Sequence, residues 1–451
     1  MKILIITSYY PPDTAIAAVR PYMLAKYLTQ YGHDVTVLRS GLLQQSADRS
    51  FSGHEGIRVI TYLGENSPSM RFENGQTDFM QYAPPSGESR IAFLPESLRK
   101  LVAKVYHTLA APYEFYCWYK KNYWQKRFVP MKAAIDQMAG EKFDIVFSTY
   151  GDIENIWGGE YASMLFDAKW IQDFRDPIEP HSPNKFGLPF LKRIQKNAVR
   201  SCDLCTAVSE DLAKHLSLQA GGKTVHTLYN GYEPNDGDVA CAVPEKDKLS
   251  FCYTGQLYAG LRDFSPLLET ICHLRDAGKL SLAHVRIHYA GREYPRLQQQ
   301  AEKYGITEIL VDHGYVGRKD AAKMQAESDV FVVLSWNTQA EKGVLTGKFY
   351  EGIRAGKPVL SMVAGNVPNS ELNLINQKYG YGFCYENCRE KELFQQLCDY
   401  LEGLYKEKMS AGSISYTPNP ALETDFRYDT LARKLETLCF EAIGQNTSTQ
   451  E

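Results

Sequence analysis

The chain has 451 residues, of which 44% are hydrophobic and 23% charged, and a formal net charge of −3. That length suits two or three domains with a core each, and the near-neutral charge argues against a general nucleic-acid binder, whose surface is basic. Ten cysteines are too sparse for a disulfide scaffold. Neither Cys202-x-x-Cys205 nor the Cys384/Cys388 pair has a second pair at zinc spacing, so reduced thiols and a reducing compartment are expected.

In chain order, a strand is predicted at 3–7, then a Tyr9-Tyr10-Pro11-Pro12 turn. A helix over 15–31 follows, with Val19, Met23, Leu24, Tyr27 and Leu28 at helical spacing. Gly32 ends it, and the next strand is 35–38. A strand–helix–strand unit of this kind implies a parallel sheet with a right-handed crossover. Further strands are predicted at 57–62, 145–148, 170–173 and 204–208, and a polar, turn-rich loop at 66–95. The stretch 101–131 interleaves Tyr106, Tyr113, Phe115, Tyr116, Trp118, Tyr119, Tyr123 and Trp124 with Lys104, Lys120, Lys121, Lys126 and Arg127. Two readings stand there: aromatic packing under solvated lysines, or contact with the headgroup layer of an anionic membrane.

Turn and linker signals fill 230–248, after which the strand-and-helix grammar repeats at 249–253, 286–290, 309–313, 330–334 and 358–362. A last helix is predicted at about 428–443. The expected organisation is a domain at 1–232, a second at 233–424, a helix at 425–444 belonging with the first, and a tail at 445–451. Two doubly wound α/β halves would bind a ligand in the cleft at the carboxyl ends of their strands. No secretory leader is read at the start, and no apolar run approaches a membrane span. A cytoplasmic protein is expected, with the inner membrane face as an alternative station.

The stretch Gly343 to Leu360 carries the most chemistry. A loop with two glycines enters a helix, so free N–H groups of Thr346 and Gly347 point at an anion at the positive end of the dipole. Lys348 adds a full charge in the first turn. Glu351, one turn on, could accept hydrogen bonds from a ribose diol. The one Asp-x-Asp, Asp236-Gly237-Asp238, reads as a linker turn. The expectation is therefore no metal, with fixed cations and N–H dipoles holding an anion such as a diphosphate.

This stretch resembles the donor site of GT-B glycosyltransferases, above all the retaining family 4. The opening 1–38, Asp173-Phe174-Arg175-Asp176-Pro177, Asn230-Gly231-Tyr232, Tyr253-Thr254-Gly255 and His313-Gly314-Tyr315-Val316 fit it in order and spacing, and Asp173 to Pro177 resembles a branch that builds bacterial surface polysaccharides. The resemblance implies a GT-B fold whose last helix crosses back to the first domain. It also implies retaining, metal-independent transfer of a hexosyl or N-acetylhexosaminyl group from a UDP-sugar to a glycan or lipid-linked acceptor.

On the donor side it implies Gly255, Arg262, Gly291, Thr346, Gly347, Lys348 and Glu351, with Val316 beside the base. On the acceptor side, Asp173 ends a strand facing the expected cleft and could orient or deprotonate the acceptor; Asp152 and Glu154, in a strand-end loop with Asn155, are further candidates, and Arg175 with Asp176 reads equally as a site pair or as a structural ion pair. Four departures stand out. Ala17-Ala18 replaces a glycine pair, Gln256 replaces a basic residue, the loop near Asn155 lacks a usual histidine, and Gly343 stands where the first of two paired glutamates is usual, with Glu341 nearby. The alternatives are a sugar-nucleotide epimerase of similar fold and an inactive donor-binding subunit.

Overall fold

The computed structural model describes residues 1–13, 15–41, 56–62, 96–178, 184–234, 243–258 and 262–444. The expected loop at 66–95, Asp236-Gly237-Asp238, the tail 445–451 and the side chains of Lys104 and Tyr106 lie outside the described residues. The chain divides into two compact units. The first holds Met1–Val208, Leu212–Leu228 and the chain from Ala432 on; the second holds Ser209–Asp211 and Tyr229–Leu431.

The first unit is built on a seven-stranded sheet of β1 (Lys2–Thr7), β2 (Asp34–Arg39), β3 (Ile57–Thr61), β4 (Ile145–Tyr150), β5 (Lys169–Phe174), β6 (Leu204–Ala207) and β7 (His226–Thr227). The order is β3-β2-β1-β4-β5-β6-β7 and each pairing is parallel. Its helices are α1 (Ile16–Gln30), α2 (Glu96–Cys117), α3 (Val129–Asp136), α4 (Ile153–Phe166), α5 (Leu188–Ser201) and α6 (Glu210–Gln219). A π-helical stretch, Trp118–Phe128, joins α2 to α3. β4 is buried at every residue, as expected of a parallel strand covered on both faces.

The second unit repeats the plan with β8 (Leu249–Thr254), β9 (Val285–Ala290), β10 (Leu310–Asp312), β11 (Val330–Trp336), β12 (Val359–Ala364) and β13 (Gly382–Glu386). The order is β10-β9-β8-β11-β12-β13, again parallel. The helices are α7 (Ser265–Asp276), α8 (Tyr294–Glu302), α9 (Arg318–Ala326), α10 (Gly347–Arg354), α11 (Glu371–Tyr379), α12 (Glu390–Ala411), α13 (Pro420–Asp425) and α14 (Tyr428–Ala442). From Ala432 on, α14 belongs to the first unit.

Both sheets are doubly wound, which is the expected fold class. In each, strand order reverses beside the first strand of the unit: between β1 and β4, and between β8 and β11. Loops leaving those strands at their carboxyl ends flank a crevice where such sheets take ligands. β7 and β13 are strands that apolar patterning alone does not reveal, the first with two residues and the second opening on a glycine.

Candidate functional site

The switch point of the second unit collects most of the expected donor residues. β8 ends at Thr254, and the Gly255 N–H bonds to Ala290 O at 2.8 Å. Gly291 follows β9, and its N–H bonds to Gly314 O at 2.8 Å. Three strand-end loops are thereby laced together by backbone alone. A Cβ on Gly291 would lie 2.3 Å from Gly255 O and 2.5 Å from the Tyr289 hydroxyl, so this crossing admits only glycine. The Glu293 carboxylate pins the loop after β8 by accepting from the N–H groups of Leu257 (2.5 Å) and Tyr258 (3.2 Å).

Arg262 is 8% exposed. Its Nη1 donates to the Tyr253 hydroxyl at 3.1 Å and to Gln256 O at 3.0 Å. Its guanidinium stacks 4.3 Å from the Tyr258 ring centre and 5.8 Å from that of Trp336. Its Nε is buried without a partner among the described residues. A buried donor of that kind is costly when unpaired, and an anion would satisfy it. Tyr258 itself holds a left-handed backbone at φ 47°.

Thr346 precedes α10 in an extended conformation, and its buried hydroxyl also lacks a partner among the described residues. The first N–H groups of α10, from Gly347 and Lys348, cannot be satisfied within the helix. The Lys348 ammonium bonds both oxygens of Glu351, at 2.8 and 3.0 Å. Its Cε is 3.4 Å from where a Gly255 Cβ would lie, which puts the lysine stem over the β8 loop. Glu351 is also held by Gln325 Nε2 at 2.8 Å, and Gln325 Nε2 reaches Thr254 Oγ1 at 3.2 Å. Gly255, Gly291, Arg262 and the Lys348–Glu351 pair thus form one cluster with α10 at its edge. Val316 is half-buried against the core beside it, two residues beyond the Gly314 that bonds Gly291.

Gly343 has a structural reason. It adopts φ +68°, and a Cβ there would lie 2.5 Å from Ser209 Oγ and 2.8 Å from Asp211 Cβ. The Glu371 carboxylate fills the neighbouring space, accepting from the N–H groups of Glu210 (2.7 Å) and Asp211 (3.2 Å). Glu341 is held by the Trp336 indole N–H at 2.5 Å, on the ring that faces Arg262.

Burial pushes the Glu371 carboxyl up to about 7, against the two N–H bonds that favour its charge. Between pH ~4.5 and ~7 the folded chain therefore keeps a proton that the unfolded chain releases. Stability should fall as pH rises through that window, by up to about 3 kcal/mol at ~1.4 kcal/mol per unit. Urea unfolding at pH 5 and pH 8 reads this. Glu371→Gln should flatten the slope, and an unchanged slope would exclude Glu371 as its source.

In the first unit, β1 and β4 end at a second cluster. Arg127, from the π-helical stretch, lies 2.6 Å from Asp152 and 3.3 Å from Glu154. Glu154 is 1% exposed, and burial together with Asp152 pushes its carboxyl well up while Arg127 opposes. Burial and Asp152 likewise push the Tyr9 phenol up, so it stays neutral. Asn155 is buried, bonding Ser8 Oγ at 3.0 Å and Thr149 O at 2.9 Å, and so ties β1 to the β4 end. Arg175 donates to Ala17 O at 2.8 Å and stacks 5.7 Å from the Tyr9 ring centre.

Asp173 requires a correction. Expected at the strand end as an acceptor-side base, it is fully buried. Its Oδ1 accepts from Arg20 (2.8 Å) and Thr206 (2.7 Å), and its Oδ2 from Arg20 Nε (3.1 Å) and Thr149 (2.8 Å). A carboxylate has about four lone-pair sites, and all are taken. Asp173 ties β5 to its neighbours β4 and β6 and to α1. Arg127, Arg20, Gln325 and Glu293 were not singled out for these roles. Their partners lie far away in sequence, so no local pattern marks them.

Among the described residues no group of three or more His, Cys, Asp or Glu is placed to hold a metal ion. No family model matches the chain, and no curated protein matches it in sequence. Solved structures do resemble it. Sucrose-phosphate synthase from Thermosynechococcus elongatus superposes at a TM-score of 0.60 with 10% identity over 98% of this chain and 99% of the other. Anabaena HepE in complex with UDP and glucose gives 0.55 and 14% over 97% and 99%. The catalytic domain of starch synthase IV from Arabidopsis thaliana, bound to ADP and acarbose, gives 0.57 and 14% over 98% and 99%. At these identities the likeness is one of fold, and that fold is GT-B.

Proposed function

We propose that the chain is a retaining glycosyltransferase of the family 4 type. In this reading it moves a hexosyl or N-acetylhexosaminyl group from a UDP-sugar to a glycan or lipid-linked acceptor, without a metal. The observation that carries it is the second unit's cluster. A buried arginine with an unsatisfied Nε, a lysine in the first turn of α10 and the free N–H groups of that helix gather around loops with no side chains in the way. Such a place suits a diphosphate, whose negative charge grows as the glycosidic bond breaks. Donors fixed in advance stabilise that charge without reorganising. Glu351 is braced at Oε2 by Lys348, Gln325 and Thr254, and its Oε1, which takes one bond from Lys348, would be the oxygen that meets the ribose hydroxyls.

In this mechanism the acceptor attacks the face the diphosphate leaves, and the departing phosphate takes the acceptor's proton. No enzymic nucleophile is needed. Asp152 and Glu154, held by Arg127, would orient the acceptor hydroxyl, with Asn155 and Arg175 fixing the strand ends around them. The sugar complexes of HepE with UDP and of starch synthase IV with ADP support a nucleotide-linked donor, and HepE favours UDP. The protein would work in the cytoplasm or at the inner face of its membrane.

Thermal shift and nucleotide release, measured against UDP-, GDP- and ADP-sugars with and without EDTA, test this reading. One UDP-sugar should raise the melting temperature, by an amount set by its excess over Kd, and should be slowly hydrolysed whether or not EDTA is present. Stabilisation with no hydrolysis and no transfer would favour an inactive donor-binding subunit. No stabilisation by any nucleotide sugar would end the transferase reading.

A further inference from the structure

The first unit carries a surface that the chemistry above does not use. α2, the π-helical stretch and the start of α5 wall an open cavity of about 580 Å³, lined by Pro112, Phe115, Tyr119, Trp124, Phe186 and Phe190 among others. Phe115 is its buried floor, with ring centres of Trp118 and Phe190 both at 5.6 Å. The apolar character continues out of the cavity along α2. Val105, Leu109, Tyr113 and Tyr116 recur every three or four residues and are 51 to 77% exposed, with Trp124 at 42%. An exposed apolar stripe of this kind beside an aromatic cavity marks a binding surface.

The charge around it indicates the partner. Residues 96–126 hold six Lys or Arg against two Glu, and residues 184–201 hold five against no acid, in a chain whose net charge is −3. Lys120, Lys121, Lys126, Lys185, Lys192 and Arg193 are exposed. The Lys120 ammonium donates to the Tyr116 hydroxyl at 2.7 Å and lies 5.3 Å from the centre of that ring, so charge and aromatic share one rim. A predominantly basic rim around an aromatic basin complements a plane of phosphates over hydrocarbon. No described helix is long and apolar enough to cross a membrane, so the contact would be one of surface docking.

We propose that this basin docks the chain on an anionic lipid bilayer. The aromatic rings enter the headgroup layer and the lysine collar pairs with lipid phosphates. Docking of this kind deepens the membrane station of the proposed function, and its test reads neither donor binding nor turnover, so its failure leaves the transferase reading standing.

Flotation of the full chain with vesicles of phosphatidylcholine alone, and of phosphatidylcholine mixed with phosphatidylglycerol, tests it. The chain should float with the anionic vesicles and not with the neutral ones. Lys120→Glu with Lys121→Glu should weaken flotation by about tenfold or more, since each surface cation near an anionic membrane counts for several-fold. Tyr116→Ser with Trp124→Ser should weaken it too; Trp124 also packs on Phe128 and Trp157, so circular dichroism checks that this variant is folded at the assay temperature. Brominated lipid should quench the tryptophan fluorescence of the parent chain more than that of Trp124→Phe. Absence of flotation with anionic vesicles, or equal flotation with neutral ones, would overturn the proposal. Full flotation of the Tyr116/Trp124 variant with no change in quenching would also overturn it, because charge alone would then account for binding.

Discussion

Lys348→Ala is expected to cut turnover of the nucleotide-sugar by about two to three orders of magnitude while leaving the melting temperature nearly unchanged. The contrast follows from the two roles open to this side chain. As a structural group it makes one partly exposed ion pair with Glu351, at i and i+3 on α10. Such pairs are worth about 0.3–0.5 kcal/mol. As a diphosphate ligand it would supply a fixed charge where negative charge develops, which is worth several times more. Arg262 sharpens the test. Arg262→Ala removes the charge and also the packing of the guanidinium on Tyr258 and beside Trp336, so it costs stability as well as binding. Arg262→Lys keeps the charge but loses the planar stack and the fork of donors. Donor affinity close to that of the parent chain in both Lys348→Ala and Arg262→Ala would remove this cluster from the donor site. Kd by titration and kcat by nucleotide release, measured beside thermal melting, separate a folding defect from a binding one.

What could be read from the sequence, and what could not, divides along the reach of the interactions involved. β8 and β11 are covered on both faces, so they appear as mostly apolar runs, unbroken over Val330 to Leu334 in β11, and the alternation of such runs with helical patterns indicates a doubly wound fold. The turn into α10 was legible for a similar reason, because glycine, lysine and helix period are local signals. Asp173 was not. Its neighbours suggest a strand-end carboxylate, yet its state is set by Thr149 24 residues away, Thr206 33 away and Arg20 153 away. Arg127 was misassigned to the aromatic-basic surface for the same reason. It lies in the π-helical stretch 118–128 with Lys120 and Lys121, which are exposed, but its guanidinium is paired with Asp152 and Glu154. Gly343 could be seen as a missing carboxylate, but the crowding by Ser209 and Asp211 that forbids a side chain there appears only once the chain is folded.

Asp173→Ala should destabilise the first unit by about 3–5 kcal/mol, enough to leave little folded protein at physiological temperature. The Arg20 side chain is 3% exposed and that of Asp173 is fully buried. Removing the carboxylate strands a guanidinium in the interior and leaves the hydroxyls of Thr149 and Thr206 without their acceptor. Asp173→Asn is the milder variant. It keeps the shape and one oxygen but presents an NH2 group to donors, so a substantial loss of stability is still expected. The double variant Arg20→Leu with Asp173→Leu should recover much of the loss, because replacing both members of a buried pair with apolar groups of similar volume is often close to neutral. A base acting on the acceptor predicts a different outcome. Asp173→Asn would then melt like the parent chain, bind donor normally and lose only turnover, and the double variant would rescue nothing. Urea unfolding of the four chains, with donor binding measured on those that fold, decides between a carboxylate that joins three strands and a helix and one that handles a proton.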